Sequence, residues 1–370
     1  MGLSKFCDSP VLDCHVHLWL LGDRIEEPIL HEQEKALLEV IDRGHLNGMY
    51  IFAKLGHATL YMKARNPGVF YAGGYAPWTG EAAGFHVEWQ SYIQSLIALG
   101  YDGVGEMGSK PVTRARHVPL DSEYYRVFWD SCEAEEFPVL CHVGDVEDFW
   151  HEDLTPEWAK VRGWGYWKGD YPRLEELYVE IENVLDEHPG LKVVLCHLLF
   201  MSPNLERLDE FFQSHRNANV DLSLGVELIH NISRRPDEWR AFIRKHDDRF
   251  LMGTDIGMST TLRQHLARIW LLRNLIESDE EFYTPDYADD LLTRYKEPFI
   301  GLNLPGTSRR RIYSDNYRKL WGAKPRDVDI NVAIRVSEEQ GCKLMAKALK
   351  SLFIQNKTST LTRTYPSRER

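Results

Sequence analysis

Two histidines stand two residues apart at the end of a short apolar run near the start of the chain, within residues 13–17 (Asp-Cys-His-Val-His). In an extended strand, side chains at positions i and i+2 project from the same face, so His15 and His17 can bind one metal ion together. His142 and Asp255 each end a later apolar run of the same kind. Imidazole and carboxylate ligands suit zinc, with manganese, iron or nickel as alternatives. The pattern therefore predicts a divalent metal site, with zinc favoured and either one ion or two bound.

His197 and Glu106 also end apolar runs, and they extend the predicted chemistry. Asp255 could hold the metal and take a proton from the water that the metal activates, while His197 polarises the substrate oxygen or binds a second ion. These two are the predicted catalytic residues. Glu106 is predicted to be a metal ligand that bridges two ions, or an acid or substrate ligand. The alternative for Glu106 is a salt bridge to Lys54 or Lys110.

A single histidine at a strand end is more often a hydrogen-bonded core residue than a metal ligand. Histidine makes up 15 of the 370 residues, so its recurrence by chance at the ends of three chosen strands is improbable. The pair two residues apart adds to this argument. The combination favours a metal site over three unrelated core histidines.

Two aromatic-rich segments, 145–151 and 164–172, follow the fifth apolar run and predict a wall for a planar or sugar-like ligand, with Lys168 meeting a carboxylate. The alternative is that these side chains only hold a long loop in place. The predicted wall comprises Trp150, Trp164, Tyr166 and Trp167. The residues predicted to bind substrate are Lys110, Trp150, Trp167, Lys168 and Glu227.

Eight apolar runs, separated by amphipathic segments, must position these side chains. The runs are 11–17, 48–53, 69–75, 101–106, 138–143, 192–197, 219–224 and 250–255. Runs rich in β-branched and aromatic residues, without strict polar alternation, are typical of parallel strands buried on both faces. They predict one (β/α)8 barrel domain over residues 1–355, with extra C-terminal helices and a loose polar tail over 356–370. An open doubly wound sheet is the alternative, but the chain lacks the Gly-rich phosphate turn of that fold after its first run.

The composition of the chain limits the kinds of partner that we expect it to bind. The chain has a formal net charge of −12 and a pI of about 5.7, which argues against a surface for nucleic acid. No apolar stretch approaches the roughly 18 residues of a membrane span, and we see no secretory signal. These features predict a cytoplasmic enzyme that acts on a small molecule and binds neither nucleic acid nor membrane. A homo-oligomer is compatible with them.

Three of the six cysteines directly precede a candidate ligand histidine: Cys14, Cys141 and Cys196. Because neighbouring residues in a strand point to opposite faces, histidines that look into a barrel predict cysteines that look out toward the helices. There they would act as small buried apolar side chains.

With these residues the sequence resembles the amidohydrolase superfamily, and within it the amidohydrolase-2 branch. The motifs that carry the resemblance are Asp13-x-His15-x-His17, Val194-Leu195-Cys196-His197, Gly253-Thr254-Asp255 and the closing segment 312–322. The resemblance implies a TIM barrel with four ligands to the catalytic metal. Those ligands would be His15, His17, His142 and Asp255. It places His197 beside that metal, as a catalytic residue or as a ligand of a second ion.

The resemblance also implies the range of reactions. Metal-dependent hydrolysis of a lactone, amide or ester is the leading prediction, and non-oxidative decarboxylation or hydration of an aromatic or unsaturated carboxylic acid is the alternative. A barrel that retains the ligands without catalysis is a third possibility. The segment 105–108 is similar to the Gly-Glu-x-Gly of TatD-like deoxyribonucleases, where the Glu bridges two metals. The length and acidity of this chain argue against their kind of substrate.

Overall fold

The computed structural model describes residues 3–18, 27–53, 58–75, 87–112, 118–225, 227–257, 261–339 and 343–364. Its main sheet consists of β1 (Leu12–His17), β2 (Gly48–Phe52), β3 (Phe70–Gly74), β4 (Gly103–Ser109), β5 (Val139–Val143), β6 (Val193–Leu195), β7 (Ala218–Asp221) and β8 (Phe250–Leu251). All eight strands are parallel and follow one another in chain order. A parallel bridge between Val16 and Ile256 joins the chain after β8 to β1. The predicted (β/α)8 barrel is thereby confirmed, and the open-sheet alternative is wrong.

Helices connect the strands and extend past the barrel. Within the described ranges they are α1 (Glu27–Gly44), α2 (Ala58–Arg65), α3 (Trp89–Leu99), α4 (Glu123–Ala134), α5 (Glu157–Val161), α6 (Leu174–Glu187), α7 (Leu205–Ser214), α8 (Leu228–Arg234), α9 (Pro236–Lys245), α10 (Leu262–Glu277), α11 (Gly306–Arg310), α12 (Asn316–Trp321), α13 (Ile330–Glu339) and α14 (Lys343–Thr364). A π-helical turn, Arg311–Asp315, joins α11 to α12, and a two-stranded antiparallel ribbon pairs Glu281–Phe282 with Phe299–Ile300.

Local sequence explains several helix boundaries. Thr261 precedes α10, and its side-chain hydroxyl accepts a hydrogen bond from the backbone amide of Gln264. The Gln264 side-chain oxygen accepts one from the backbone amide of Thr261 in return. This reciprocal cap satisfies two amides that the first turn leaves free. Gly100 ends α3 at φ 94°, a left-handed conformation that side chains other than glycine's resist. A Cβ at that position would lie 2.3 Å from the Asp327 carbonyl oxygen, so the glycine also permits the C-terminal segment to approach.

Three apolar clusters are buried in the described residues, and two of them form the core of the barrel. The larger lies between the strands and the surrounding helices. The smaller fills the barrel interior, where Leu12 and Tyr50 pack with α12 residues Tyr317 and Trp321. Because the Trp321 indole approaches Gly103, the first residue of β4, α12 closes the N-terminal end of the barrel. The opposite end, where the strands finish, is left for a functional site.

The C-terminal helices are present, as predicted, but the tail differs from expectation. Helix α14 continues to Thr364, so residues 356–364 of the predicted loose tail are helical, and 365–370 lie outside the described residues. No helix in the described ranges combines the length and apolarity needed to cross a bilayer.

The prediction for the cysteines is wrong at two of its three positions. Cys141 packs in the larger cluster toward the helices, as alternation requires. Cys14 and Cys196 pack in the interior cluster instead. The pairing register of β1 shifts between Asp13 and Val16, and a left-handed turn begins at His197, so neither histidine lies opposite the cysteine before it as strict alternation requires.

Candidate active site

The first strand and the segment after the last strand bring three predicted ligands together at the C-terminal end of the barrel. Asp255 Oδ1 lies 3.1 Å from His17 Nε2 and 3.5 Å from His15 Nε2. His15 is fully buried, whereas the His17 side chain is 28% exposed and faces the opening of the barrel. Backbone bonding supports this junction, because the Asp255 amide donates to the His15 carbonyl oxygen.

A second group of predicted residues lies beside the first. Glu106 Oε1 is 2.7 Å from His142 Nδ1, and the Glu106 carboxylate lies 3.8 Å from Nε2 of both His15 and His17. The ring of His197 is 4.9 Å from that of His142 and 5.2 Å from that of His15, centre to centre. Glu106 therefore stands between the two groups.

Possible ligand atoms in each group lie within 4.8 Å of one another: His15, His17 and Asp255 in one, and Glu106, His142 and His197 in the other. This grouping differs from the implied set of four, because His142 falls with Glu106 and His197. The structure brings all six predicted metal ligands together, so both one-ion and two-ion arrangements have a donor set.

Hydrogen bonding shows that the histidines fit a cation. His15 and His142 each engage a carboxylate through Nδ1, and the buried Nε2 of each has no hydrogen-bond partner. A neutral imidazole that donates through Nδ1–H carries a lone pair on Nε2. A buried ring nitrogen without a partner is costly in an apolar interior, and a divalent metal would satisfy both Nε2 atoms.

The tautomer of His197 follows from its neighbours. The Ser223 hydroxyl donates its single proton to Asp221 Oδ1, at 2.5 Å. The same hydroxyl oxygen must therefore accept the hydrogen bond from His197 Nδ1, at 2.9 Å. The Ser223 carbonyl oxygen, which can only accept, is 3.3 Å from the same nitrogen. His197 thus also carries its lone pair on Nε2, which can bind a metal or take up a proton.

Asp221 organises this site and was not among the predicted residues. Its Oδ2 is 2.8 Å from His15 Nδ1, and its Oδ1 accepts from the His197 amide at 2.7 Å. Asp221 is fully buried at the end of β7. A carboxylate inside an otherwise apolar run was the signal that could have identified it, because a charge buried on a strand requires a partner.

The backbone that follows β6 and carries His197 has an unusual conformation. His197, Leu198, Leu199 and Phe200 all have φ between 53° and 56° and form a left-handed turn. Each such residue costs roughly 1–2 kcal/mol relative to the right-handed form. Burial of both leucines and the bond from the His197 amide to Asp221 hold the turn in place.

Arg268 and Asp289, also absent from the prediction, support Asp255 from behind. The Arg268 side chain is fully buried and donates to both Asp289 oxygens, at 2.8 and 3.0 Å. It also donates to the Thr254 carbonyl oxygen at 3.1 Å and lies 3.5 Å from Asp255 Oδ2. Nothing local in the sequence links these residues, since the contact depends on the packing of α10.

The electrostatics keep the carboxylates charged. Burial alone would raise the pKa of Glu106, but His142, His17 and His15 hold it well below its usual value. Asp255 behaves likewise, because its hydrogen bond with His17 and the charges of His15 and Arg268 outweigh burial and lower its pKa. Both groups are therefore anionic at neutral pH, as ligands of a divalent cation must be.

The pKa values of two histidines in this site are shifted in opposite directions. Burial acts to lower the pKa of His15, but the Asp221 carboxylate raises it to about 9, so without a bound cation the ring is protonated and a metal would displace the proton on Nε2. Burial, reinforced by the neighbouring His142, lowers the pKa of His197 to about 4, so this ring is neutral near pH 7.

A cavity of about 230 Å³ opens above these residues. Four aromatic side chains line it, together with aliphatic and charged residues: Phe149, Trp158, Trp164 and Phe200. Lys110 also lines it, with Nζ 2.8 Å from Asp145 Oδ2 and 3.3 Å from the centre of the Trp164 ring. The alternative pairing of Glu106 with Lys110 is not formed, and Lys54 lies outside the described residues.

Three of the other predicted substrate contacts lie outside this cavity. Trp150, Trp167 and Lys168 do not line this cavity. Trp150 Nε1 donates to the Pro172 carbonyl oxygen and holds the loop, as the alternative interpretation supposed. The Lys168 side chain is 73% exposed and lies 3.4 Å from Glu152. An aromatic-rich loop has several faces, and only its folding decides which rings reach the cavity.

Glu227 lies behind the cavity wall. A Cβ on Gly225, which does line the cavity, would be 3.4 Å from Glu227 Oε2. Glu227 is buried, and burial raises its pKa to about 7. Its role in binding substrate stays a prediction.

Comparison with known proteins covers most of the chain. The sequence model of a family described as Amidohydrolase matches residues 95–323. Among solved structures, a 2,6-dihydroxybenzoate decarboxylase from Rhizobium is 14% identical, with a TM-score of 0.51 over 85% of this chain and 98% of that one. A probable 2-pyrone-4,6-dicarboxylic acid hydrolase from Acinetobacter baumannii is 12% identical, with a TM-score of 0.50 over 84% and 99%. At such identities these structures show a shared fold. No curated protein matches the sequence significantly.

Proposed function

Because this chain belongs to the amidohydrolase family, whose model covers residues 95–323, we propose that it is a metal-dependent hydrolase of a small lactone, amide or ester. One observation carries the proposal. Six donor side chains from five strand ends converge, and two of their imidazoles present buried Nε2 atoms without hydrogen-bond partners. Nitrogen and carboxylate donors of this kind favour zinc.

His15, His17 and Asp255 would hold the metal, with Glu106, His142 and His197 completing its surroundings or holding a second ion. When bound, the metal supplies Lewis acidity toward a carbonyl group and toward water. The Asp255 carboxylate takes the proton that the attacking water releases and passes it to the leaving group. Nε2 of His197 is a second proton acceptor within the same cavity. The aromatic walls exclude bulk water, which strengthens every electrostatic interaction inside.

A second candidate is non-oxidative decarboxylation or hydration of an aromatic or unsaturated acid. The observation that favours it is the cavity itself, whose aromatic rings suit a planar substrate and whose Lys110 ammonium suits a carboxylate. The two reactions differ in their products. A hydrolase opens a ring or releases two fragments, whereas a decarboxylase releases CO₂.

Metal content tests the site before any substrate is known. The wild-type protein, stripped with a chelator and reloaded with Zn²⁺, should retain stoichiometric metal in elemental analysis, and His15→Ala and Asp255→Ala should lose it. His246→Ala is the matched control, because its imidazole pairs with Asp209 away from the barrel mouth. Equal metal content in all four proteins would refute the assignment. Reloaded protein is then screened against lactones, esters, amides and aromatic acids, with ring opening and CO₂ release measured separately.

A small-molecule substrate, no binding of nucleic acid, a homo-oligomeric state and a cytoplasmic location all stay predictions. The five cysteines of the described residues are free, as a reducing compartment favours.

A further inference from the structure

The thiol of Cys196 lies at the floor of the metal site, on the barrel side. A possible ligand atom of His15, one of Glu106 and the sulfur of Cys196 all lie within 4.8 Å of one another. Cys196 is fully buried and packs in the interior cluster beneath the catalytic residues. No step of the proposed hydrolysis uses this sulfur.

The backbone explains why this cysteine reaches the site. Strand β6 ends at Leu195, and the left-handed turn begins at His197. Cys196 continues the alternation of β6, with Val194 inside the barrel and Leu195 toward the helices, and the turn then brings His197 to the same site. At Cys141 the strand continues past the histidine, and the sulfur packs against the helices.

A second observation points to a ligand at this place. His15 Nε2 is buried without a hydrogen-bond partner, because Asp221 engages the other ring nitrogen. The His15 side chain is 0% exposed, and one of its ring nitrogens belongs to the same group of atoms as the Cys196 sulfur. A nitrogen, a carboxylate and a sulfur then surround one point.

We propose that Cys196 is an additional ligand of the metal centre and gives it a preference for thiophilic divalent ions such as Zn²⁺, Co²⁺ and Cd²⁺ over Mn²⁺ and Mg²⁺. Soft sulfur ligands select such ions, whereas a purely oxygen and nitrogen set discriminates less. The thiol releases its proton to the solvent as the sulfur coordinates. This inference rests on the proposed metal-dependent function.

The distances allow coordination after a small adjustment. Zinc binds sulfur at about 2.3 Å and imidazole nitrogen at about 2.0 Å, so two such ligands of a tetrahedral ion are roughly 3.6 Å apart. Donor atoms that lie within 4.8 Å therefore need to approach by roughly 1.2 Å at most. Rotation of the Glu106 and Cys196 side chains supplies such a shift, while Asp221 keeps the His15 ring fixed.

Absorption spectroscopy of the cobalt-loaded protein tests this ligand directly. One equivalent of Co²⁺ added to metal-free wild-type protein should produce thiolate-to-cobalt charge-transfer absorption in the near ultraviolet. Cys196→Ser should lose that absorption, and Cys196→Ala provides the same test if the serine variant does not fold. Cys14→Ser is the matched control, since Cys14 also precedes a ligand histidine and lies in the same cluster but joins no ligand group. It should retain the absorption.

Metal competition adds a second readout. Cys196→Ser should weaken Zn²⁺ and Cd²⁺ binding by about tenfold or more while changing Mn²⁺ binding by less than about threefold. If wild-type protein binds Co²⁺ without the charge-transfer absorption, or if Cys14→Ser abolishes it, Cys196 is not a ligand and this inference is overturned. If wild-type protein binds no divalent metal at all, the proposed function itself fails.

Discussion

Asp221→Asn is the substitution that most sharply tests how the metal site is built. Asp221 accepts from His15 Nδ1 at 2.8 Å, from the His197 amide at 2.7 Å, and from the amide and hydroxyl of Ser223 at 3.1 and 2.5 Å. Asparagine has the same size, and its amide oxygen can keep the three bonds made at Oδ1. Its NH₂ group then faces His15 Nδ1–H, donor against donor.

The variant has two ways to relieve this conflict, and both weaken metal binding. His15 can keep its tautomer and lose a charge-assisted bond worth roughly 1.5–3 kcal/mol. Alternatively, it can move its proton to Nε2 and accept from the new NH₂, in which case Nε2 has no lone pair for a metal. Loss of such a supporting group costs about 10–100-fold in metal affinity. That range corresponds to about 1.4–2.8 kcal/mol of binding free energy.

Competition with a chromophoric chelator measures this affinity, and urea unfolding in excess chelator measures the stability of the metal-free protein. The matched control is Asp102→Asn at the other end of the barrel. Asp102 is equally buried, and it accepts from Lys63 Nζ at 2.7 Å and from the Arg326 amide at 2.7 Å. This control should lose stability but retain wild-type metal affinity. If the Zn²⁺ affinity of Asp221→Asn is within about threefold of that of the control, the Asp221 carboxylate does not fix the orientation and tautomer of His15.

Three further predictions concern stability and can be measured by urea unfolding. Arg268→Met leaves Asp289 buried without its guanidinium partner and should cost about 3–5 kcal/mol, with Arg268→Lys recovering part of the loss; a cost below 1 kcal/mol would contradict this. Burial raises the pKa of Glu277, but a backbone amide and the Arg273 guanidinium hold it below the usual 4.5, so its stabilising contribution is present above that pH and disappears as the pH falls through the lowered value. Wild-type protein should therefore exceed Glu277→Gln in stability most at neutral pH and progressively less in acid, and a constant difference would refute the linkage. Gly100→Ala combines a left-handed φ of 94° with a Cβ 2.3 Å from a main-chain oxygen of the C-terminal segment, and it should cost more than about 1 kcal/mol. Gly68→Ala, at φ 88° with no atom within 4 Å, isolates the conformational part of that cost.

The strands and the six candidate ligands could be predicted because their signals are local. Each of the eight apolar runs coincides with an observed strand, to within a few residues at either end. Residues two apart on a strand share a face whatever the rest of the chain does, so His15-x-His17 implied a common direction before any fold was known. The C-terminal ends of parallel strands meet at one edge, which brought His142, His197 and Asp255 to the same place.

Local periodicity failed where the backbone departs from it. The register shift in β1 and the left-handed turn after β6 bring His15 and His197 to the site although the cysteine before each of them lies inside the barrel, where the prediction placed both cysteines in the helix layer. The prediction for the aromatic loop after β5 was limited for a related reason. The composition of the loop indicates that its rings are buried, but it does not indicate which ring faces the cavity. Trp164 lines it and Trp150 does not.

The barrel, the end at which the candidate site lies and the kinds of candidate ligand there could all be read from the order of residues along the chain. How the candidate ligands divide into groups, and which residues hold them, became clear only in the folded molecule. Asp221 meets His15 across 206 positions, and Arg268 meets Asp289 across 21 through the packing of a helix. The physical reason is that face and period depend on neighbouring residues alone, whereas the partner of a buried charge depends on which elements the closed barrel brings into contact.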